Sequence, residues 1–497
     1  MEWKPPPRFC AAATCTYVPL NPDETAEAME SCFAQLSPAA VIVSEGHATA
    51  AREAAHSLGL PLITLCPSLS EDAGRFRLHA PSRGEVAPDL EPEPDNLALF
   101  MQTSGTVGGP KLVMHSHQTI LSAAASLVES FHLSEGDRAI SIAPMFHSLA
   151  LVGTVLTAAI SGSSLICAAD SSPQMFFEGM DEFSPTWFGA VPSMLQAILL
   201  DAPRFEHVIR RRQLRFFRSV AAPLPAASAT ALEGIFRAPL IQVYGMSEAP
   251  GITAEPLPPG ERRSGSVGRV ICADVAIVND DLERVPAGAY GQVAVRGGNV
   301  ALGYWNNPHA TGEAFRNGWL LTGDCGHFDE DGFLYLTGRI REFINRGGEK
   351  ICPAEVDEVL QRHPRVAQAL TFPIPDSRLG EEVAVALVAG EPGAVTAVEM
   401  QRFAAARLAF HKIPRHFFFL DEIPVGDTGK PSRQGMRDRL PLLTPPPPPA
   451  HAAPRNALEK TLARLWAEAI RRPEPGIHDP FFESGGESLV LLGHKLM

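Results

Sequence analysis

The sequence lacks several features that would point to a membrane or secreted protein. No apolar run is long enough to span a bilayer, and the N-terminus MEWKPPPRFC has no apolar core of a signal peptide. The eight cysteines are scattered and form no CxxC pair, which argues against a disulfide framework or a zinc site. These absences predict a cytoplasmic protein without a transmembrane segment.

Positively charged residues are also fewer than negatively charged ones. The chain has 42 lysines and arginines against 56 aspartates and glutamates, a formal net charge of -14. A general nucleic-acid-binding surface is therefore not expected. The length of 497 residues exceeds what one hydrophobic core organises, which predicts roughly two to four domains.

Short apolar runs alternate with helix-like stretches over the first two thirds of the chain. LITL, LALFM, AISIA, SLICA, LRFFRSV and LIQVYG are typical of buried strands, whereas SMLQAILL and ASATALEGIF have helical spacing. This alternation predicts an α/β fold with largely parallel sheets. Val267–Tyr304 differs, since short β-rich runs there alternate with turn signals, and it predicts a small antiparallel unit.

The rest of the chain divides at a proline-rich segment. We expect a large domain of layered α/β sheets over residues 1–337 and an α+β domain over residues 338–437. Residues 438–455 include PLLTPPPPPAHAAP, and such a run of prolines forms a stiff, extended spacer. Residues 456–497 begin a helical third unit, because apolar residues recur there at helical spacing.

The segment TSGTVGGPK, Thr103–Lys111, follows the strand-like run LALFM. Its glycines, hydroxyls and lysine are suited to wrapping a polyphosphate. It is not a Walker loop, because Pro110 precedes the lysine and Leu112 follows it. An ordinary flexible loop is the alternative for this segment alone.

Three further segments carry charged groups at loop positions. YGMSE follows a predicted strand, where a carboxylate can meet a ligand and hold Mg²⁺. TGD, followed by GRIREFINRGGEK, offers an aspartate and an arginine for a ribose or phosphate. IPVGDTGK places a lysine on a glycine-flanked loop. Taken alone, each segment is more typical of an ordinary loop, with a solvated glutamate, a turn aspartate or a surface lysine.

In this order and at this spacing, the segments resemble the core motifs of the acyl-adenylating superfamily, which includes acyl-CoA synthetases, carrier-linked adenylation domains and luciferases. YVPLNP, PMFH and GNVALGYWNNP also match, and the resemblance runs from about Ala11 to Arg433. The implied reaction joins a carboxylic acid to the AMP part of ATP, which gives acyl-AMP and releases pyrophosphate. The acyl group then passes to the thiol of CoA or of a 4′-phosphopantetheine.

The resemblance implies a nucleotide site. Glu248 matches a Mg²⁺ ligand and Tyr244 the residue near adenine, with Ser247 where threonine is usual. Asp324 and Arg339 match the ribose ligands. The residues of the implied phosphate loop are Thr103, Ser104, Gly105, Thr106 and Lys111.

The resemblance assigns the second domain a part in both steps. Lys430 matches the lysine that bridges the acid's carboxylate and the α-phosphate, and Arg341 lies at the hinge position. Gly347 and Gly348 resemble the loop lining the pantetheine tunnel. Because the carboxylate nucleophile is already an anion, the reaction needs neutralising charge from Lys430 and Mg²⁺, not a general base. The C-terminal domain is therefore expected to be mobile, closing for one step and rotating for the next.

The final segment HDPFFESGGESLVLL resembles the phosphopantetheine site of carrier proteins. Ser488 matches the attachment serine, which a phosphopantetheinyl transferase would modify; an ordinary N-cap serine is the alternative. The chain ends soon after Ser488, and the segment that usually precedes YVPLNP is short. We therefore expect a partial carrier domain and a missing leading segment.

His147, in PMFH, indicates which class of carboxylic acid the protein activates. Amino-acid-activating domains carry an aspartate at this place to pair the substrate's ammonium, and an unpaired buried ammonium would be costly. The sequence therefore favours a fatty or other acyl acid, or an aryl acid. We count His147 as a catalytic candidate with Lys430 and Glu248, although a gating or packing role is open. Candidates for the acid pocket are Trp187, Phe188, Val220, Ala221 and Met246.

Three functions remain open from the sequence. The first is an acyl-activating ligase with CoA or a carrier thiol as acceptor. The second is an amino-acid-activating module of a nonribosomal peptide synthetase, which His147 opposes. The third is a non-catalytic remnant, which the retained Lys430, Asp324 and Glu248 oppose and the short leading segment favours.

Overall fold

The computed structural model describes residues 15–46, 49–68, 70, 75–81, 93–103, 111–271, 274–279, 281–376, 379–390, 395–423, 433, 436 and 453–470. The predicted site residues outside these ranges are Ser104, Gly105, Thr106, Lys430 and Ser488. Contacts divide the chain into two compact units, Met1–Leu336 and Thr337–Met497. In the described ranges, no helix combines the length and apolar character needed to cross a bilayer.

Helices and strands alternate through the first unit. Its helices are α1 Ala26–Leu36, α2 Thr49–Ser57, α3 His117–Ser130, α4 Ser148–Ala150, α5 Thr157–Ser161, α6 Pro173–Phe183, α7 Pro192–Asp201, α8 Glu206–Arg211, α9 Ala226–Phe236 and α10 Pro308–Ala314, with a π-helix at Leu151–Leu156. Its strands are β1 Val41–Ser44, β2 Leu62–Pro67, β3 Phe76–His79, β4 Leu97–Gln102, β5 Leu112–Ser116, β6 Arg138–Ser141, β7 Ser164–Cys167, β8 Trp187–Ala190, β9 Phe216–Val220, β10 Leu240–Met246, β11 Ala249–Ala254, β12 Arg269–Val270, β13 Asp274–Val278, β14 Gly291–Arg296, β15 Gly303–Tyr304, β16 Phe315–Arg316 and β17 Trp319–Phe328, and β18 Leu334–Arg339 crosses into the second unit.

A seven-stranded sheet in the order β12-β11-β10-β9-β8-β6-β7 forms the centre of the first unit. The strands from β6 to β10 pair in parallel, and β11 and β12 add an antiparallel edge. Helix boundaries follow local chemistry: α6 begins after Ser172, whose hydroxyl accepts from the amide of Met175, and Pro173 occupies the first turn. The predicted α/β fold with parallel strands is confirmed.

Side chains alternate between the two faces of this sheet. Phe188 and Phe217 stack with ring centroids 5.4 Å apart on the face covered by α6, α7 and α9. Trp187 and Phe216 stack at 5.9 Å on the opposite face, where Leu127 of α3 packs. Burying each such side chain contributes about 1.5–3 kcal/mol, so both faces support hydrophobic cores.

Smaller sheets complete the first unit, in the orders β1-β2-β3, β15-β5-β4 and β13-β14-β17-β16, with β18 paired to β17. The antiparallel unit predicted over Val267–Tyr304 is present in β13 and β14, but its sheet takes in Trp319–Phe328, beyond the predicted span. Gly303–Tyr304 does not belong to it, because Tyr304 pairs with Val113 of β5.

The second unit is an α+β structure, as predicted. Its strands are β19 Ile344–Arg346, β20 Glu349–Ile351, β21 Val366–Asp376, β22 Gly380–Ala389 and β23 His416–Phe419, and its helices are α11 Pro353–Gln361, α12 Ala397–Ala405 and α13 Ala457–Ile470. Leu360 of α11 and Met400 of α12 pack into one core with strand residues such as Val385. Arg346 and Glu382 form an ion pair at 2.6 Å inside this unit.

Candidate functional site

The two ends of the predicted phosphate loop meet at the base of a β-hairpin. The Thr103 amide donates to the Lys111 carbonyl at 2.9 Å, and the Lys111 amide donates to the Thr103 hydroxyl at 3.1 Å. The loop therefore connects antiparallel strands β4 and β5, unlike the strand-to-helix setting of a Walker loop. Its central residues Ser104, Gly105 and Thr106 lie outside the described ranges.

Tyr304 links Lys111 to Glu248. The Lys111 Nζ lies 4.6 Å from the centroid of the Tyr304 ring, within cation–π range. The Tyr304 hydroxyl donates to Glu248 Oε1 at 2.6 Å, and Glu248 is buried. Two predicted site residues are thus brought together through Tyr304, to which the motif GNVALGYWNNP assigns no role of its own.

His115 forms a hydrogen bond to the backbone of the YGMSE segment. Burial lowers the pKa of this histidine to about 4, so the imidazole is neutral at neutral pH. Nε2 lies 2.7 Å from the Ser247 carbonyl, to which it donates, and Nδ1 lies 3.0 Å from the Thr119 hydroxyl. Sequence reasoning missed His115, because its partner lies 132 residues further along the chain.

Tyr244 and Asp324 also meet. The Tyr244 hydroxyl donates to Asp324 Oδ2 at 2.7 Å, and the Asp324 amide donates to the Thr322 hydroxyl at 3.1 Å. Tyr244 belongs to β10 and Asp324 to β17, so the contact joins the central sheet to the antiparallel sheet. A phenol and a carboxylate placed together can face the sugar and base of a nucleotide.

His147 precedes the short helix α4, with its amide donating to the Pro144 carbonyl at 3.1 Å. The side chain stays accessible to solvent, while desolvation by the surrounding protein lowers the pKa of its imidazole. A neutral imidazole at this place is suited to hydrogen bonding or gating, and not to supplying positive charge.

The proposed acid-pocket residues do not all share one face. Trp187 and Val220 lie on the face of the central sheet that packs against α3. Phe188 points to the opposite face, because strand side chains alternate, and packs among the residues of the other core. Ala221, just after β9, has a φ of +73°, a left-handed conformation that non-glycine residues adopt mainly at special sites.

Three predicted residues of the second unit lie at the ends of strands. Arg339 ends β18. Gly347 and Gly348 form the turn between β19 and β20 with φ values of +60° and +95°, which favour glycine. The Gly348 amide donates to Asn345 Oδ1 at 3.2 Å, which fixes the turn. Lys430 and Ser488 lie outside the described residues.

Comparisons with known proteins agree with these motifs. The family described as AMP-binding enzyme matches residues 10–305, and its C-terminal domain matches residues 355–430. The chain is 37% identical over 436 residues to a probable CoA ligase, CCL9, of Humulus lupulus, covering 86% of this chain and 82% of that protein. It is 36% identical over 429 residues to an oxalate–CoA ligase of Arabidopsis thaliana, covering 85% and 83%. The crystal structure of ATP-bound MatB from Rhodopseudomonas palustris superposes with a TM-score of 0.72 at 25% identity, covering 85% of this chain and 83% of that one.

Proposed function

The chain belongs to the AMP-binding enzymes, as an acid–thiol ligase that activates a carboxylic acid with ATP and transfers it to CoA, and we propose that Lys111, Tyr244, Glu248 and Asp324 form its nucleotide site. The observation that carries this proposal is that Lys111 and Glu248 both contact Tyr304 beside the phosphate loop. Lys111 makes a cation–π contact with the ring, and Glu248 accepts a hydrogen bond from the hydroxyl.

The reaction has two steps. A carboxylate oxygen attacks the α-phosphorus of ATP, which gives acyl-AMP and releases pyrophosphate. The sulfur of CoA then attacks the acyl carbonyl, the thioester forms, and AMP leaves with the oxygen that came from the acid. Both reactants of the first step are anions, so the chain's part is to hold them and neutralise their repulsion.

Each nucleotide-site residue has a role that suits its placement. Asp324 accepts from the ribose hydroxyls, while Tyr244, bonded to Asp324, orients that carboxylate beside the base. Lys111 and the hydroxyls of the phosphate loop hold the polyphosphate. From the second unit we propose Arg339 for the ribose and Lys430 for the acid's carboxylate and the α-phosphate.

Glu248 fits a Mg²⁺ ligand. Its Oε1 accepts from Tyr304, and a carboxylate has further lone pairs for a cation. In the described part of the chain no three histidine, cysteine, aspartate or glutamate side chains group as a metal site. That suits Mg²⁺, which proteins commonly hold with one or two carboxylates plus phosphate oxygens and waters. When bound, Mg²⁺ would neutralise phosphate charge.

The thiol step involves the second unit in this proposal. Gly347 and Gly348 form a tight exposed turn without side chains, which suits the close approach of a pantetheine arm. We propose a domain boundary after residue 337, with Arg341 at a hinge and an AMP-binding C-terminal domain up to residue 437. Rotation about such a hinge would present Lys430 for the adenylation step and the Gly347–Gly348 turn for the thiol step.

A carrier function is a further part of this proposal. The motif around Ser488 resembles a phosphopantetheine attachment site, and α13 supplies an amphipathic helix after the proline-rich segment at 438–455. We propose that a phosphopantetheinyl transferase modifies Ser488, giving a second acceptor thiol besides CoA. Cys15, Cys32, Cys66 and Cys167 are free thiols, and we propose a reducing, cytoplasmic location.

Acid-dependent pyrophosphate release tests the proposed function. The assay uses fatty, aryl, dicarboxylic and amino acids, each with and without CoA. We expect release with non-amino acids and formation of their CoA thioesters. Turnover with amino acids alone would favour the peptide-assembly alternative, and ATP binding without turnover of any acid would favour a remnant.

A further inference from the structure

Three buried polar atoms on one face of the central sheet have no hydrogen-bond partner among the described residues. They are Arg218 Nε, Trp187 Nε1 and Ser141 Oγ. Each of the three residues is at most 2% exposed. Buried polar groups are nearly always paired, so three unpaired donors on one face need an explanation.

The strand register brings these residues together. Ala139 lies opposite Trp187, and Gly189 lies opposite Arg218. Continuing the β6–β8 register places Ser141 beside Gly189. Side chains two residues apart share a face of a strand, so Ser141, Trp187 and Arg218 all point to the same side. We call these three residues the donor cluster.

Arg218 gives the donor cluster a positive charge. Its Nη2 donates to the Gly153 carbonyl of the π-helix at 2.6 Å, and its guanidinium lies 4.8 Å from the centroid of the Trp187 ring. Burial lowers the pKa of Arg218 to about 9, which still leaves it a cation at neutral pH. No carboxylate in the described part of the chain pairs with it. A buried cation without a counter-ion is costly, so an anion supplied from outside would relieve the cost.

Gly189 lets the Arg218 guanidinium pack directly against the backbone of β8. A Cβ at this position would lie 3.2 Å from Arg218 Nη2 and 3.3 Å from Nε. It would also lie 3.1 Å from the Leu149 side chain, so alanine would crowd both neighbours. The close approach of Arg218 therefore favours glycine at this position.

The donor cluster lies in the central sheet, a short distance along the strands from the end that carries the nucleotide site. Arg218 precedes Val220 by two residues on the same face, about 7 Å along the strand. Val220 pairs with Val243, the neighbour of Tyr244. Ligands of parallel α/β sheets bind at the carboxyl ends of the strands. An acid whose carboxylate reaches the nucleotide there would extend its other end toward Arg218.

We propose that the donor cluster binds a second anionic group of the acid, so that the enzyme selects short acids with a distal carboxylate or sulfonate. This inference rests on the proposed function. A carboxylate or sulfonate offers several oxygens to the Arg218, Trp187 and Ser141 donors. An alkyl chain would leave these donors unpaired and the charge uncompensated.

Matched acid pairs test this inference through CoA thioester formation: malonate with propionate, succinate with butyrate, and 3-sulfopropionate with propionate. Wild-type kcat/KM should favour the dianionic member of at least one pair by about 10-fold or more. Arg218→Met should lower kcat/KM for that acid by about 10- to 100-fold, the range for losing a hydrogen bond to a charged group, and spare or improve the monoanionic partner. Comparing carboxylate with sulfonate shows which anion fits.

Two further variants separate recognition from folding. Ser141→Ala keeps the charge and should reduce the same preference by a smaller factor. Arg284→Met, which removes an exposed arginine stacked on Trp319, should leave it unchanged. Equal or better turnover of the monoanionic acids by the wild type would overturn this inference alone. Failure of every acid would overturn the proposed function, and this inference with it.

Discussion

The Tyr304 hydroxyl donates a 2.6 Å hydrogen bond to the carboxylate of Glu248. The same tyrosine ring lies under Lys111, so one side chain orients both a proposed metal ligand and the lysine at the end of the phosphate loop. Outer partners that orient a ligating carboxylate typically change metal affinity or activity by about 10- to 100-fold when removed. Tyr304 is therefore a positioning residue whose effect can be measured.

Tyr304→Phe should weaken the use of Mg²⁺. The ring remains for Lys111, but Glu248 loses its donor. We expect the Mg²⁺ concentration for half-maximal pyrophosphate release to rise by about 10-fold, with a smaller change in the KM for the acid. Tyr290→Phe, on an exposed tyrosine, is the matched control. An unchanged Mg²⁺ requirement would count against the proposed role of Glu248.

Asp324→Asn should weaken recognition of the ribose. The substitution removes the charged acceptor that Tyr244 orients. We expect the KM for ATP to rise about 10-fold or more, and the preference for ATP over 2′,3′-dideoxy-ATP to shrink. Asp281→Asn, in an exposed turn, should leave both values unchanged. If the variant still discriminated between the two nucleotides like the wild type, Asp324 would not contact the ribose.

His115 should make the protein less stable in acid. Its pKa is about 4 in the folded protein against 6.5 when exposed, so the unfolded chain binds more protons between these values. The free energy of unfolding should therefore fall as the pH drops through 6.5 toward 4. At pH 5 the loss from this group is about 2 kcal/mol relative to pH 8.

His115→Gln isolates this contribution. Denaturant unfolding at pH 8 and pH 5 should show a smaller loss of stability in the variant than in the wild type, because other titrating groups are common to both. Identical losses in the two proteins would mean that His115 is not buried as a neutral imidazole.

Lys430→Ala should separate the two chemical steps. Lys430 is proposed to neutralise the acid's carboxylate and the α-phosphate only during adenylation. The variant should release no pyrophosphate from ATP and acid, but should still form CoA thioester from a preformed acyl-adenylate. Equal loss of both activities would contradict the proposed rotation of the second domain between the two steps.

The strands of the central sheet could be predicted because buried parallel strands appear as short apolar runs, and LRFFRSV and LIQVYG correspond to β9 and β10. The contacts that organise the site could not be predicted. Tyr304 meets Glu248, and His115 meets Ser247, across long separations that depend on which strands become neighbours. The donor cluster depends on strand register, since a one-residue shift would send Arg218 to the other face.

Oxygen-18 in the acid's carboxylate shows whether the acid is activated as acyl-AMP. The labelled acid is incubated with ATP, Mg²⁺ and CoA, and the AMP and pyrophosphate are analysed by mass spectrometry. Attack of the carboxylate on the α-phosphorus predicts one labelled oxygen in AMP and none in pyrophosphate. Unlabelled AMP formed alongside the CoA thioester would rule out an acyl-AMP intermediate.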